Sequence, residues 1–113
     1  MDDCLFCKIA AGEIPSSEVY SDDRFYAFKD IHPQAPTHIL VIPRKHIATL
    51  DDLAAGDGPL MGDLVLLVAR IAKELGLADG YRVNINCREL AGQAVFHIHA
   101  HLLGGRRFRW PPG

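Results

Sequence analysis

Three histidines alternate with apolar residues near the C-terminal end of the chain, in the run His97-Ile98-His99-Ala100-His101-Leu102-Leu103. Strict alternation is the period of a β-strand, in which successive side chains point to opposite faces. We therefore expect a strand over about residues 95–103, with the three imidazoles on one face and the apolar side chains facing a core. Neighbouring histidines on such a face lie about 7 Å apart, because a strand rises about 3.3 Å per residue.

This row of imidazoles favours a functional role over a structural one. A purely structural row would suffer desolvation, and any two rings that became charged would repel each other. A histidine can attack as a nucleophile through one neutral ring nitrogen while the other nitrogen holds its proton in a hydrogen bond. A second imidazole on the same face can donate a proton or stabilise negative charge, which suits acyl or phosphoryl transfer. A hydrolytic zinc centre is the alternative, although no acidic residue lies at a recognisable metal-site spacing.

The bulk properties of the chain exclude several classes of protein. Its 113 residues fit one domain, and its hydrophobic fraction of 49% is ordinary for a globular protein. The net charge of -2 and the pI of 6.3 argue against nucleic-acid binding. No apolar run approaches the ~20 residues that span a membrane. The start, Met1-Asp2-Asp3, has no basic or apolar leader, so we expect a cytoplasmic protein.

The hydrophobic pattern predicts an α+β domain. A short helix is expected over residues 4–11, with Asp2 or Asp3 as its N-cap and Gly12 at its end. A long amphipathic helix is expected to begin near Pro59 and end near Gly76, because apolar residues recur there every three or four positions. Strands are expected over residues 19–21, 25–29, 38–43, 81–86 and 95–103, followed by a tail over 104–113. Since most are joined by turns, we expect a five-stranded, mainly antiparallel sheet.

A second pattern is the pair Cys4-Leu5-Phe6-Cys7. This spacing is found in redox centres and in half-sites for zinc, but also in ordinary helices. A thioredoxin-like centre needs a strand immediately before the pair, and only three residues precede it here. Half a zinc site needs further ligands, for which His46 is available. The zinc interpretation and the purely structural one both stay open.

Three further polar residues could contact a ligand. Asn86 and Gln93 flank the loop before the histidines and could bind a sugar hydroxyl or a phosphate oxygen. Asp30 lies between a strand and a proline-rich loop, and its two carboxylate oxygens could bind a ribose diol. Each of these residue types is also common in turns and caps, so the pattern alone leaves their roles open.

The run from His97 to Leu103 resembles the His-φ-His-φ-His-φ-φ signature of the histidine triad (HIT) family, in which φ is an apolar residue. The resemblance covers nearly the whole chain in order. It is closest to the histidine triad nucleotide-binding proteins, which are purine nucleoside phosphoramidases. The other matching segments are Leu5-Phe6, Glu13-Ile14-Pro15, Asp30-Ile31, Pro33-Gln34-Ala35-Pro36-Thr37-His38, Val41-Ile42-Pro43, Gly92-Gln93 and Trp110-Pro111-Pro112-Gly113.

The resemblance implies a HIT-like fold with a single HIT domain over residues 1–113, and a homodimer that shares one continuous sheet. It implies cleavage of the P–N bond of a purine nucleoside 5'-monophosphoramidate, such as an adenosine phosphoramidate or a lysyl-adenylate, through a nucleotidyl-histidine. No cofactor is implied for catalysis. By this resemblance His99 is the nucleophile, with its other nitrogen held by a main-chain carbonyl. His101 would contact the phosphate and assist the leaving amine, and His97 and His38 would complete the polar network.

The resemblance also implies a site for an AMP-like nucleotide. Asp30 would hold the ribose hydroxyls, and Asn86 and Gln93 would face the ribose and phosphate. Trp110, on the tail, would reach the partner protomer's site. The residues implied to line the base pocket are Leu5, Phe6, Ile9, Ile14, Phe28 and Ile31.

One departure from this branch is Ala94, which stands where a hydroxyl or other polar residue usually lies beside the phosphate. Proton delivery to the leaving amine is then expected to depend on His101 or on water. Two alternatives therefore stay open beside the phosphoramidase. One is a dinucleoside polyphosphate hydrolase, and the other is a nucleotide-binding module with weak catalysis.

The second departure is the cysteine pair. Several bacterial relatives of the same family hold a zinc ion on such a pair together with a histidine after the third strand and the first triad histidine. The ligands implied in this chain are Cys4, Cys7, His46 and His97. Four protein ligands close the coordination shell, which is typical of a structural zinc.

Overall fold

The computed structural model describes residues 3–113. These residues form one sheet with one helix packed against each of its faces. Three short 3-10 turns lie in the connections. In chain order the helices and strands are α1 (Leu5–Ala10), β1 (Glu18–Ser21), β2 (Phe25–Lys29), β3 (Thr37–Pro43), α2 (Gly58–Glu74), β4 (Tyr81–Asn84) and β5 (Ala100–Gly104).

All five strands belong to one antiparallel sheet with the order β1-β2-β3-β5-β4. The predicted α+β class and five-stranded sheet are therefore confirmed. β3 and β5 occupy the middle of the sheet, and their register places His38 opposite Leu103 and Leu40 opposite His101. β4 lies at one edge and pairs only with β5.

The alternation along β3 and β5 divides the core between the two faces of the sheet. On one face, α2 buries Leu64, Val68 and Ile71 against a cluster that includes Val41 and Leu102. Each such side chain contributes about 1.5–3 kcal/mol through burial of its apolar surface. On the other face, the short helix α1 packs on a second cluster, whose buried members are Phe6, Ile9, Tyr26, Phe28, Leu40 and Ile42. The histidines lie on this second face.

The strand that carries the last histidine is shorter than the sequence predicts. We expected a strand over residues 95–103, but β5 begins at Ala100 and includes Gly104, which we had assigned to the tail. Pro43, which follows Val41 and Ile42 along β3, has no N–H to donate across the sheet. The Pro43 carbonyl accepts from the ring of His97 and not from a main-chain N–H of the neighbouring strand. The N–H of Ile98 donates to the Ile47 carbonyl. The segment before β5 therefore leaves the ladder but keeps its alternation.

Other predicted boundaries differ by one or two residues, and two of these differences involve candidate site residues. The N-cap of α1 is Cys4, whose Sγ accepts a hydrogen bond from the Cys7 N–H at 3.3 Å, rather than Asp3. The alternative cap, Asp2, lies outside the described residues. β4 ends at Asn84, two residues before the predicted end at Asn86. Within residues 3–113, no helix has both the length and the apolar character needed to cross a membrane.

Candidate active site and metal centre

His99 is held in a single tautomer by the main chain. Its Nδ1 lies 2.7 Å from the carbonyl oxygen of His97, and the residue is only 7% exposed. A carbonyl oxygen can only accept, so Nδ1 carries the proton and donates it. The other ring nitrogen, Nε2, is left with a lone pair. A neutral imidazole in this state can attack an electrophile or bind a metal.

A chain of hydrogen bonds also defines the tautomers of His38 and His101. The main-chain N–H of Gln34 donates to His38 Nδ1 at 3.0 Å, so the proton of neutral His38 lies on Nε2. His38 Nε2 lies 2.9 Å from His101 Nδ1 and donates to it. The proton of neutral His101 must then lie on its own Nε2. His101 therefore offers an N–H donor beside His99, whose ring centroid is 4.9 Å away.

The electrostatic environment keeps these rings neutral at pH 7. Burial, followed by the neighbouring His99 and His38, lowers the pKa of His101 to about 4. Burial likewise lowers the pKa of His99 and of His38, and Asp30 opposes the shift in each case. The Asp30 carboxylate lies 3.5 Å from His38 Nε2. At neutral pH His101 can therefore donate a hydrogen bond, but it does not carry an extra proton to release.

The ring of His97 belongs to a different cluster from the rings of His99 and His101. Its Nε2 lies 2.7 Å from the carbonyl oxygen of Pro43 and must donate to it, so its Nδ1 has a free lone pair. That nitrogen lies 3.3 Å from Cys4 Sγ, 3.4 Å from Cys7 Sγ and 3.3 Å from His46 Nδ1. The ring itself is fully buried. The four implied metal ligands are thus brought together from three separate parts of the chain.

The dimensions of this cluster fit a tetrahedral zinc ion. Zn–S bonds of about 2.3 Å and Zn–N bonds of about 2.0–2.1 Å imply S···N edges near 3.6 Å and N···N edges near 3.3 Å. The distance from Cys7 Sγ to His46 Nδ1 is 3.5 Å, and the three edges from His97 Nδ1 are 3.3, 3.4 and 3.3 Å. All four donor atoms lie within 4.8 Å of one another. Burial and the adjacent Cys4 raise the pKa of the Cys7 thiol to about 11, so a metal ion would displace protons when it binds.

A second group of potential ligands, Asp30, His38 and His101, is less suited to a metal. The Gln34 N–H already occupies His38 Nδ1, so His38 Nε2 carries a proton in the neutral ring. A metal ion at that nitrogen would have to displace the proton and produce an imidazolate. The hydrogen-bond pattern therefore favours a polar relay here, and a metal site only at the cysteines.

The residues implied to form the base pocket divide into two groups. Phe6, Ile9 and Phe28 are buried together, and Ile14 packs against their cluster. The ring of Phe6 lies 5.0 Å from that of His99 and 5.4 Å from that of Phe28, both edge-on. These side chains form an apolar wall directly beside the predicted nucleophile. Of the remaining two, Leu5 is 43% exposed and Ile31 is 86% exposed.

Gln93 has a structural role that the sequence did not suggest. Its side chain is buried, and its amide oxygen accepts from the Arg88 N–H at 2.7 Å. Its amide nitrogen donates to the carbonyls of Ala48 and Val95 at 2.7 and 3.1 Å. The side chain thereby joins the segment after His46 to the segment before His97. A main-chain anchor of this kind leaves no pattern in the sequence, because its partners are backbone groups.

The other residues predicted to contact a ligand are exposed or partly buried. Asp30 accepts the His32 N–H through one carboxylate oxygen, at 2.8 Å, and approaches His38 with the other. The amide of Asn86 accepts from the side chain of Asn84 at 3.3 Å. Ala94 is exposed, and Trp110 is 84% exposed on the tail. The tail therefore presents an aromatic ring to solvent in the single chain.

Comparisons with known proteins agree on one family. The HIT domain model matches residues 11–108. An uncharacterized HIT-like protein of Synechococcus elongatus is 51% identical over 112 residues, which is 99% of this chain and 98% of that protein. A HIT family hydrolase from Legionella pneumophila superposes with a TM-score of 0.97 at 51% identity, covering 98% and 100% of the two chains. For a histidine triad nucleotide-binding protein from Candida albicans the TM-score is 0.82 at 34% identity, covering 98% and 85%.

The depressed pKa of His101 predicts how stability depends on pH. In the unfolded chain His101 takes up a proton near pH 6.5, whereas in the folded protein it does so only near pH 4. Between these values the unfolded state binds more protons, so His101 makes the free energy of unfolding fall as the pH falls. The variant His101→Asn is expected to lose less stability across this window than the wild type. Urea unfolding at pH 7, 6, 5 and 4.5 measures the difference.

The control for this experiment is His32→Asn. His32 is exposed and is not among the clustered histidines, which are His38, His97, His99 and His101. It is expected to follow the wild-type pH dependence. If His101→Asn loses as much stability as the wild type between pH 6.5 and 4.5, the neutral, partly buried state of His101 is wrong.

Proposed function

The chain belongs to the HIT family, and from this premise we propose that it is a hydrolase that cleaves the P–N bond of purine nucleoside 5'-monophosphoramidates through a nucleotidyl-histidine intermediate. One observation carries the proposal. The Nδ1 proton of His99 is held by the His97 carbonyl, which leaves the Nε2 lone pair available for attack. The names of the Legionella and Candida relatives, a hydrolase and a nucleotide-binding protein, support the same reaction class.

In the first step, His99 Nε2 forms a bond to the α-phosphorus, and the bond from phosphorus to the leaving nitrogen breaks. Nδ1 keeps its proton, so the nucleotidyl-imidazole is cationic, and the hydrogen bond to the His97 carbonyl stabilises this charge. The leaving nitrogen receives the bonding electron pair and needs a proton. The side chain of Ala94 has no proton to give, so in this proposal a water molecule supplies it.

His101 stabilises the charge that develops on the phosphoryl oxygens. Its Nε2–H is a neutral hydrogen-bond donor that is already oriented, because the Gln34 N–H and His38 fix its tautomer. Donors that need no reorientation during the reaction contribute strongly to transition-state stabilisation. His38 thus acts through His101 as a positioning residue.

In the second step, a water oxygen attacks the same phosphorus and loses a proton to solvent. The bond between phosphorus and His99 Nε2 breaks, its electron pair returns to the ring, and the nucleoside 5'-monophosphate departs. His99 is then again neutral with its proton on Nδ1, as before the first step. The histidines are therefore restored without any external electron donor or acceptor.

The apolar wall supports binding of a purine. Phe6, Ile9 and Phe28 offer flat and branched apolar surface next to His99, which suits the face of an aromatic base. The carboxylate of Asp30, which lies 3.5 Å from His38 Nε2, is proposed to accept hydrogen bonds from the ribose hydroxyls. The affinity from apolar contact depends on the area of the base that is buried, so it discriminates little between adenine and guanine.

A second candidate is a nucleotide-binding module with weak catalysis, and the observation that favours it is Ala94. With no polar side chain at that position, the leaving group has no fixed proton donor, and turnover would be slow even with the nucleophile in place. Binding of the nucleotide would be unaffected, since Ala94 lies outside the apolar wall.

Covalent chemistry at His99 is tested by a single-turnover reaction with adenosine 5'-phosphoramidate, quenched at intervals and analysed by intact-protein mass. A transient gain of one adenylyl group is expected in the wild type. In His99→Ala the adduct should be absent and hydrolysis about 1,000-fold slower or more, since the nucleophile is gone. AMP binding to this variant should change only a few-fold, because the apolar wall is intact.

The variant His32→Ala is the matched control, because it removes an exposed histidine outside the cluster, and it should retain both adduct and turnover. An adduct or wild-type turnover in His99→Ala would contradict the proposed mechanism. AMP binding without turnover in the wild type would favour the binding module. Faster hydrolysis of a dinucleoside polyphosphate than of the phosphoramidate would favour that substrate class instead.

We further propose that Cys4, Cys7, His46 and His97 hold a structural zinc ion. When bound, the ion would supply a fixed cross-link between α1 and the segment before β5, with no part in the chemical steps. The chain's own residues are suited to this role, because the donor distances match tetrahedral edges. The His97–Pro43 hydrogen bond orients the His97 ring so that Nδ1 faces the cysteines.

Metal analysis of protein purified without chelator should find about one zinc per chain, as expected for a closed four-ligand site. In Cys7→Ser this value should fall to near zero. The control is Cys87→Ser, which removes a thiol that is not in the cluster and should leave the zinc content unchanged. A wild-type zinc content near zero, or equal content in both variants, would refute the site.

We also propose that the protein is a homodimer formed through β4. This strand is an edge of the sheet, and its side chains Tyr81 and Val83 are 40% and 43% exposed. An exposed edge with apolar side chains is a ready surface for pairing with a second chain. On α2, Val65 and Leu66 are also exposed. A two-fold axis beside β4 would let the two sheets continue into each other.

Sedimentation equilibrium is expected to give about twice the chain mass of 12.5 kDa. The variant Val83→Glu should shift the protein towards the monomer, because two carboxylates would be placed close to the axis. Ser17→Glu, next to the opposite edge strand, adds the same charge and should remain dimeric. A monomeric wild type would overturn the dimer, and a fully dimeric Val83→Glu would exclude β4 as the interface.

A further inference from the structure

The side chain of Gln93 uses its hydrogen-bonding groups on the main chain alone. Its amide oxygen accepts from the Arg88 N–H at 2.7 Å, and its amide nitrogen donates to the carbonyls of Ala48 and Val95 at 2.7 and 3.1 Å. The residue is only 3% exposed. An amide has two N–H donors, so neither is left for a ligand. Any effect of Gln93 on the site must therefore pass through the main chain.

The carbonyl that accepts the His99 ring proton is itself held from its other side. The His97 carbonyl and the Ile98 N–H belong to one planar peptide group, so fixing one of them fixes the other. The Ile98 N–H donates to the Ile47 carbonyl at 2.7 Å. The His97 carbonyl, on the opposite side of the peptide, accepts from His99 Nδ1 at 2.7 Å. The orientation of the His99 ring therefore depends on the position of Ile47.

Gln93 holds the segment that contains Ile47. Its amide nitrogen donates to the carbonyl of Ala48, the next residue along the chain, and so ties this segment to the loop before the histidines. The other N–H of the same nitrogen donates to the carbonyl of Val95, two residues before His97. The two bonds of Gln93 therefore fix both of the segments that meet at the peptide that orients the nucleophile.

The backbone at Arg88 supports a functional reason for this arrangement. Arg88 has φ +70° and ψ 177°, a region that residues other than glycine rarely adopt. Its N–H is held by the Gln93 amide oxygen, and its carbonyl accepts from the N–H groups of Ala91 and Gln93 at 3.2 and 3.0 Å. Strain of this kind persists only where surrounding contacts hold it, and it concentrates at functional sites. The loop that leads to the histidines keeps a strained shape, and Gln93 is the residue that closes it.

We propose that Gln93 is a positioning residue for the nucleophile. Through its two N–H donors it keeps the His97 carbonyl where that oxygen accepts the Nδ1 proton of His99. Without these bonds the ring would be free to tilt or to carry its proton on Nε2, where the proton occupies the lone pair needed for attack. Nucleotide binding would be spared, because Gln93 is not part of the apolar wall. The consequence for turnover rests on the proposed function, whereas the consequence for the His99 ring does not.

Two substitutions separate the functions of the Gln93 amide. Gln93→Ala removes all three hydrogen bonds, whereas Gln93→Glu keeps the size and the acceptor for Arg88 but, when ionised, has no donor for the carbonyls. In both variants the single-turnover cleavage of adenosine 5'-phosphoramidate is expected to be about 30- to 100-fold slower, because a misplaced nucleophile slows the chemical step. The affinity for AMP should stay within about threefold of the wild type.

A second measurement reports on the His99 ring in the absence of nucleotide. In protein labelled with 15N-histidine, the Nδ1–H signal of His99 is assigned by its absence in His99→Ala. This proton lies in a buried hydrogen bond, so it should exchange slowly with water in the wild type. In both Gln93 variants the exchange should be about tenfold faster, because the accepting carbonyl is no longer held.

The matched control is Asp22→Ala, in the turn between β1 and β2. The carboxylate there also accepts three hydrogen bonds, from the N–H groups of Arg24 and Phe25 and from the Tyr20 hydroxyl. Its removal should lower the temperature of thermal unfolding to a similar extent as Gln93→Ala. It should leave the cleavage rate and the exchange of the His99 ring proton unchanged, because this turn has no part in the path from Gln93 to the ring.

Wild-type cleavage rates in both Gln93 variants, an unchanged exchange of the ring proton, or an equal effect in Asp22→Ala would overturn the positioning role. Failure of both Gln93 variants to fold would also overturn it, because Gln93 would then be needed for the fold as a whole. Absence of cleavage in the wild type, together with faster exchange of the ring proton in the Gln93 variants, would refute the proposed function and leave the positioning of His99 standing.

Discussion

The hydrogen bond from His99 Nδ1 to the His97 carbonyl is the interaction on which the candidate site depends. It holds the proton on one side of the ring and frees the lone pair on the other. The same logic repeats at the two neighbouring positions, where the Pro43 carbonyl defines the tautomer of His97 and the Gln34 N–H defines that of His38. Three backbone groups therefore assign three imidazoles different roles, although the side chains are chemically identical.

The alternation of apolar residues makes this control possible. Ile98, Ala100 and Leu102 are buried almost completely, so the segment cannot rotate to present its histidines elsewhere. β3 ends at Pro43, where its ladder of hydrogen bonds with β5 would otherwise continue. His97 and His99 therefore lie before the regular strand, and their rings and the His97 carbonyl bond to other partners.

The N-terminal helix connects the cysteine cluster to the apolar wall. Phe6 lies between Cys4 and Cys7 in the sequence, and its ring contacts those of both His97 and His99. An isolated helix as short as α1 is unstable in water, so its position depends on tertiary contacts. Burial of Phe6 and the clustering of both cysteines around His97 provide those contacts. The apolar wall and the proposed zinc ligands are consequently parts of one local structure.

The sequence by itself determined the α+β class, the types of the helices and strands, and the histidine and cysteine patterns. Local patterns encode these features, because alternation, helical spacing and glycine or proline punctuation act over a few residues. Only the tertiary structure decided which atoms meet: Cys4 and His97 are 93 positions apart, and the partners of Gln93 and His38 are backbone groups. The early end of the predicted histidine strand belongs to the same class. A contact between distant segments depends on how the whole chain packs, and a main-chain donor or acceptor is present at almost every residue, so neither leaves a local sequence pattern.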